Sequence, residues 1–247
     1  MVRERFWEID ALRGIAVVAM VLYHFSYDLA FFGLFDVGFF RSGLGLNTGR
    51  LIGGSFIFLA GLSLTLSYAR ATASRPPLGG TLFRKYLSRG LRIFSYGLVI
   101  TLLTWIFLPN EMIVFGILHL IGVSIILAYP FLTLKLVNVA LGVAYIAIGP
   151  ILRGLEVDSP WLVWLGSDPT FFMIDYWPIF PWFGVILFGI AAGNALYGDR
   201  RKQAASSTPR PSTIRPLAFL GRHSLVVYLI HQPVLLAALI LLGVGSL

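Results

Sequence analysis

Residues 7–28 read WEIDALRGIAVVAMVLYHFSYD. Most of this stretch is apolar enough to cross a bilayer, yet Asp10 and Arg13 stand near its start and His24 and Asp28 near its end. Taking ~100° per residue from Asp10, Arg13 falls near ~300°, Val17 near ~340°, Met20 near ~280°, His24 near ~320° and Asp28 near ~0°. The ionisable residues therefore share one stripe with Val17 and Met20. Charge inside a span is costly and normally faces a bundle interior or a watered cavity, so this stripe is expected to point inward.

The rest of the chain fits a lipid solvent. Of 247 residues, 57% are hydrophobic and 12% charged, too little polar surface for a soluble domain of this length. The first apolar run is longer than a signal-peptide core and lacks a small-residue cleavage site, so it is expected to remain as a span. Cysteine is absent, which excludes disulfides, thiolate nucleophiles and cysteine-ligated metals. The net charge of +8 reads as cytoplasmic loops and contacts with anionic lipid headgroups, with no nucleic-acid partner expected.

Seven apolar segments are long enough to cross: 11–32, 50–69, 87–108, 112–133, 135–153, 179–197 and 216–243. Basic connections hold Arg70, Arg75, Arg84 and Lys85, then Arg200, Arg201, Lys202, Arg210 and Arg215, with Arg3 and Arg5 at the N-terminus. They alternate with basic-poor stretches such as 108–111 and the acidic 154–178, where Glu156, Asp158, Asp168 and Asp175 lie; Arg41 is a mild exception. The positive-inside rule then puts the N-terminus in the cytoplasm and the C-terminus outside. The expected architecture is an all-α polytopic helical bundle in the cell membrane, a single transmembrane domain over 1–247, with 203–213 as a flexible linker.

Three histidines fall at similar depth. His24 lies ~16 Å along its helix from Arg13, His119 ~10 Å in from Met112, and His231 ~22 Å along from Pro216. His223 belongs nearer the cytoplasm. An Asp one turn from a His orients the ring, so Asp28 is expected to serve His24. Three imidazoles also suit zinc, but no metal-ligand spacing is present and no metal is expected.

The stretches IDALRGIAVVAMVLYH (9–24), FIFLAGLSL (56–64), GILHLIGVS (116–124) and PLAFLGRHSLVVYLIHQPV (216–234) resemble the heparan-α-glucosaminide N-acetyltransferase family of transmembrane acyltransferases. The first and last also look like the related acyltransferase-3 group. The resemblance implies a multispan enzyme that moves an acetyl or other acyl group from acyl-CoA to an amine or hydroxyl of an extracytoplasmic, sugar-containing acceptor. It implies an intramembrane catalytic histidine, placed by motif position at His24.

Acyl transfer from a thioester needs a base, donors for the oxyanion and a grip on the CoA phosphates. His24 is the expected base with Asp28 as its orienter, and His119 and His231 are candidate oxyanion or leaving-group partners. Tyr23, Asn47 and Gln232 are polar helpers. Without cysteine, direct transfer is favoured over a covalent intermediate. Arg13, Arg89, Arg92 and Arg222, which lie within expected helices, are the candidates for holding the CoA phosphates, ahead of Arg84, Lys85 and Arg215. Expected partners are lipids, acyl-CoA and a small-molecule or glycan acceptor, with a homodimer left open.

The remaining features read as architecture. Gly189 and Gly193 form a GxxxG packing pair, and Trp161, Trp164, Trp177 and Trp182 an interfacial belt. Asp175 is either an exposed carboxylate or a contact for an acceptor amine. The rival class is a proton-coupled transporter relaying through His24, Asp28 and His119, although no inverted repeat accompanies it.

Overall fold

A computed structural model of the chain describes residues 6–74, 80–154, 162–167, 173, 175–197 and 211–244. Expectations resting on Arg3, Arg5, Arg75, Glu156, Asp158, Trp161, Asp168, Arg200, Arg201, Lys202, Arg210 and the start of the linker lie outside these residues.

The described chain is helical, without strands: α1 (Trp7–Phe31), α2 (Gly38–Arg41), α3 (Gly43–Ser74), α4 (Thr81–Phe107), α5 (Ile117–Leu127), α6 (Val137–Arg153), α7 (Ile179–Tyr197), α8 (Arg215–Arg222) and α9 (Ser224–Leu241). Among the described residues, five helices have the length and hydropathy to cross a membrane: α1, α3, α4, α7 and α9. The all-α membrane bundle expected from composition is what forms.

Two of the seven apolar segments differ from the continuous helices expected. In 112–133 the helix is only α5, 11 residues long, or ~16 Å, about half a hydrocarbon core. Residues before it are drawn into other bonds, Ile113 N–H donating to Thr104 Oγ1 at 3.1 Å and Trp177 N–H to the Phe115 carbonyl at 3.1 Å. A 3-10 turn at Tyr129–Phe131, built around Pro130, ends it. Segment 216–243 breaks at His223 (φ −103°, ψ 15°) into α8 and α9. The depth of His231 reckoned along one unbroken helix from Pro216 therefore does not hold.

The helices gather into two compact units, one of residues 1–56 and 204–247, the other of 57–203; α3 runs from the first into the second.

In the first unit, α1 packs along α8 and against α9. The α1–α8 contact is a backbone contact made by two glycines. A Cβ on Gly14 would lie 2.0 Å from the Leu217 carbonyl oxygen, and one on Gly221 would lie 1.7 Å from that of Asp10. Small residues permit such an approach where lipid supplies no hydrophobic drive between helices. Of the expected stripe of α1, Asp10, Val17, Met20 and Asp28 are buried, and Arg13 and His24 half-buried. The start of α3 joins through Tyr23, whose hydroxyl donates to the Gly45 carbonyl at 3.1 Å, while Phe40 of α2 meets the Tyr23 and Tyr27 rings edge-on.

In the second unit, α4 pairs with α5, α6 pairs with α7, and α5 also packs on α7. Gly189 and Gly193 play the expected packing role: a Cβ on Gly189 would lie 2.1 Å from the Phe58 carbonyl oxygen of α3, and one on Gly193 2.9 Å from Thr65 Cβ. Asn138 and Asn194 donate to the Phe131 and Leu132 carbonyls at 2.9 and 3.2 Å, supplying donors for carbonyls left over where the helix stops.

Candidate active site

The polar stripe of α1 meets α9 at two points. The rings of His24 and His231 lie edge-to-face, centroids 4.9 Å apart and planes at 69°. One turn further along α1, Asp28 Oδ1 accepts a 2.6 Å hydrogen bond from Gln232 Nε2. Neighbouring residues of α9 thus hold residues one turn apart on α1, and His24, Asp28, His231 and Gln232 form one cluster.

The tautomers follow from the hydrogen bonds. His24 Nδ1 lies 2.9 Å from the Met20 carbonyl, and His231 Nδ1 lies 2.7 Å from that of Tyr228. A carbonyl oxygen only accepts, so each Nδ1 carries the proton and each neutral ring keeps its lone pair on Nε2. His231 Nε2 is buried without a partner, as are Asp28 Oδ2 and Gln232 Oε1. His24 is half-buried, and its Nε2 makes no hydrogen bond. In this geometry Asp28 is held by Gln232, and the His24 ring is oriented by its own helix rather than by the carboxylate expected to do so.

His119 belongs to the second unit and has different surroundings. It is the third residue of α5 and 1% exposed. Its Nδ1 accepts from Gly116 N–H at 3.1 Å, which places the proton on Nε2, 3.3 Å from Thr101 Oγ1. Thr101 in turn donates to the Ile113 carbonyl at 2.6 Å. Both ring nitrogens are thus occupied, and the ring sits between Phe94, edge-on, and Phe115, stacked. A side chain three residues into a helix that reaches back to the residue before it is half of a capping box.

Asp175 completes the same helix start. Its Oδ2 accepts from Ile117 N–H at 3.1 Å, and its Oδ1 accepts from Trp177 Nε1. A carboxylate on the first free N–H of a helix also meets the positive end of the helix dipole. Gly116 makes room for it, since a Cβ there would lie 2.4 Å from Asp175 Oδ2. Replacing Asp175 with Ala is expected to cost about 0.5–2 kcal/mol, the range for losing a capping side chain, with Asn recovering part of it. Thermal unfolding in detergent, followed by far-UV circular dichroism, checks this; equal midpoints for wild type and Asp175→Ala would remove the capping role.

The basic candidates divide. Arg13 is engaged at the α1–α8 contact, its Nη1 lying 3.2 Å from Asp10 Oδ1 and 3.4 Å from the Gly221 carbonyl in the last turn of α8. Arg222 is exposed and folds back on its own helix, Nε donating to the Ala218 carbonyl at 3.1 Å. On α4, Lys85, Arg89 and Arg92 are exposed and, at i, i+4 and i+7, share one face of the helix. Among the helpers, Asn47 Oδ1 accepts from Arg50 Nη1 at 3.4 Å. Among the described residues, no group of three or more His, Asp or Glu side chains gathers as a metal site requires.

Reasoning from sequence missed Thr101 as the partner of His119, although a hydroxyl in the apolar run 87–108 was a signal. It named Gln232 but not its bond to Asp28, which joins residues 204 positions apart. Among known proteins, the catalytic domain of heparan-alpha-glucosaminide N-acetyltransferase matches residues 5–233. No curated protein and no solved structure matches. A match over most of the length, across the paired histidines and both units, places this chain in the heparan-α-glucosaminide N-acetyltransferase family, as a membrane acetyltransferase.

Proposed function

We propose that the protein transfers the acetyl group of acetyl-CoA to an amine or hydroxyl of an extracytoplasmic, sugar-containing acceptor, with His24 as general base. The observation that carries this reading is the pair of apposed imidazoles, each with Nδ1 committed to a carbonyl and its lone pair on Nε2. In the reaction, His24 Nε2 takes the proton of the acceptor N–H or O–H as that atom attacks the thioester carbonyl. The tetrahedral oxyanion collapses, the C–S bond breaks, and the imidazolium returns the proton to the departing thiolate. The products are the acetylated acceptor and free CoA. The chain has no cysteine, which favours this direct route over an acyl-enzyme. The carbonyl on Nδ1 suits the role, because it accepts from the neutral and the protonated ring alike.

His119 has a structural part in this reading, as the lock on the start of α5. The chain resides in the cell membrane as a multi-pass protein, with its N-terminus cytoplasmic. Family membership does not favour the proton-coupled transporter.

Arg13, Arg89, Arg92 and Arg222 are the candidates for the CoA phosphates, Arg89 and Arg92 being exposed on one face of α4 beside Lys85. Arginine pairs with phosphate through two parallel bonds, so charge reversal is costly there. Arg89→Glu combined with Arg92→Glu is expected to raise KM for acetyl-CoA about tenfold or more and leave KM for the acceptor unchanged. Steady-state kinetics checks this; an unchanged acetyl-CoA KM would remove the α4 face from the donor site.

The test of the reaction itself is release of CoA thiol by the purified chain in detergent, given acetyl-CoA and mixed amino sugars, with mass spectrometry of the acceptor. Stoichiometric CoA and acetylated sugar are the expected products. Uptake of the sugar into proteoliposomes, without thioester cleavage, would replace the enzyme reading with transport.

A further inference from the structure

We infer that Gln232, its amide oriented by Asp28, is the residue that reads the acceptor, presenting a carbonyl oxygen to an amine. This rests on the acetyltransfer reading above and assigns a specificity-determining residue within the same site.

The bond between the two side chains fixes which end of the amide faces the cluster. Asp28 is 2% exposed, and Gln232 supplies its hydrogen bond, Nε2 to Oδ1 at 2.6 Å. Turning the amide round would set its carbonyl against a carboxylate oxygen, acceptor against acceptor, inside a buried site. The Nε2 end is therefore held on Asp28, and Oε1 is left as an acceptor. It is buried without a partner, and so are Asp28 Oδ2 and His231 Nε2.

All three are acceptors: Asp28 Oδ2 as the free oxygen of a carboxylate, Gln232 Oε1 by the orientation just given, and His231 Nε2 by its tautomer. Buried acceptors without donors are unfavourable, and a protein rarely keeps three together. A group rich in donors and poor in lone pairs satisfies them: an amine offers two N–H bonds or more, whereas a hydroxyl offers one O–H. The cluster lies against His24, the proposed base. An amine that donates one N–H to Gln232 Oε1 or Asp28 Oδ2 keeps its second N–H for an imidazole.

The test uses the full chain in detergent, acetyl-CoA as donor, and D-glucosamine and D-glucose as probes with and without an amine. Gln232→Met keeps length and removes the acceptor oxygen. It is expected to raise KM for glucosamine about ten- to hundredfold, while KM for acetyl-CoA moves less than about twofold. Asp28→Asn is the second variant: its amide oxygen still accepts from Gln232 Nε2, while its –NH₂ replaces the free carboxylate oxygen in the cluster. A loss toward glucosamine is expected again, with glucose turnover less affected, because one of the acceptors facing the amine becomes a donor. An unchanged glucosamine KM in Gln232→Met, or equal losses for glucosamine and glucose, overturns the assignment while CoA release by the wild type keeps the acetyltransfer reading. Failure of the wild type to release CoA with either sugar overturns that reading instead.

Discussion

Replacing His24 with Ala is expected to lower kcat for acetyl transfer about 10²- to 10⁴-fold, the usual range for losing a general base, with KM for acetyl-CoA nearly unchanged. The ring keeps its Nε2 lone pair and lies half-buried beside His231. Added imidazole should restore part of the rate, since it refills the space with the same base. His119→Ala is the instructive contrast. It removes the bond to Gly116 N–H and leaves a cavity between Phe94 and Phe115. Its effect should therefore fall on thermal stability more than on kcat of the protein that remains folded. If His119→Ala abolished turnover in stable protein while His24→Ala did not, the two roles would have to be exchanged.

The second large effect is expected at the α1–α8 contact. Gly14→Val and Gly221→Val each drive a side chain into a carbonyl that would lie 2.0 Å or 1.7 Å from its first carbon. Backbone cannot yield as a flexible side chain does, so the helices must part. Overpacking costs about 1–3 kcal/mol even where side chains can shift, and a backbone clash exceeds that. Separation would also uncover Asp10 and draw Arg13 from the Gly221 carbonyl. Each variant should lower the unfolding temperature in detergent and shift the size-exclusion profile toward aggregate. The double variant should cost less than the sum, because the first substitution already opens the contact. Wild-type stability in either single variant would show that α1 and α8 do not touch along these glycines.

That contact gives a physical reason for two of the stretches on which the family resemblance rests. IDALRG and FLGRHS are the two sides of one helix crossing, where Gly14 and Gly221 remove bulk and Arg13 bonds to the end of α8. Residues that read as phosphate-binding or catalytic by motif can serve the fold first.

Much of this was legible in sequence. Composition gave the membrane bundle, and the helical wheel of the first span gave its buried face, since Asp10, Val17, Met20 and Asp28 all turn inward. The pairing of His24 with His231 was not legible. Depth follows from residue count, but rotation about each helix axis depends on which neighbour it packs against. The part His119 plays at the start of α5 was not read either, although Gly116 three residues before it marks the helix start. Continuous hydropathy across 112–133 hid that start, and continuous hydropathy across 216–243 hid the turn at His223. Hydropathy records solvent preference and does not register where the backbone ladder stops.

The most direct measurement is single-turnover transfer of a labelled acetyl group. Wild-type and His24→Ala protein are each loaded with labelled acetyl-CoA, mixed with glucosamine and quenched over time. The wild type should move the label from thioester to sugar, while His24→Ala should bind the donor equally and keep its thioester intact over the same interval. Transfer by His24→Ala at the wild-type rate would contradict a catalytic centre built on His24.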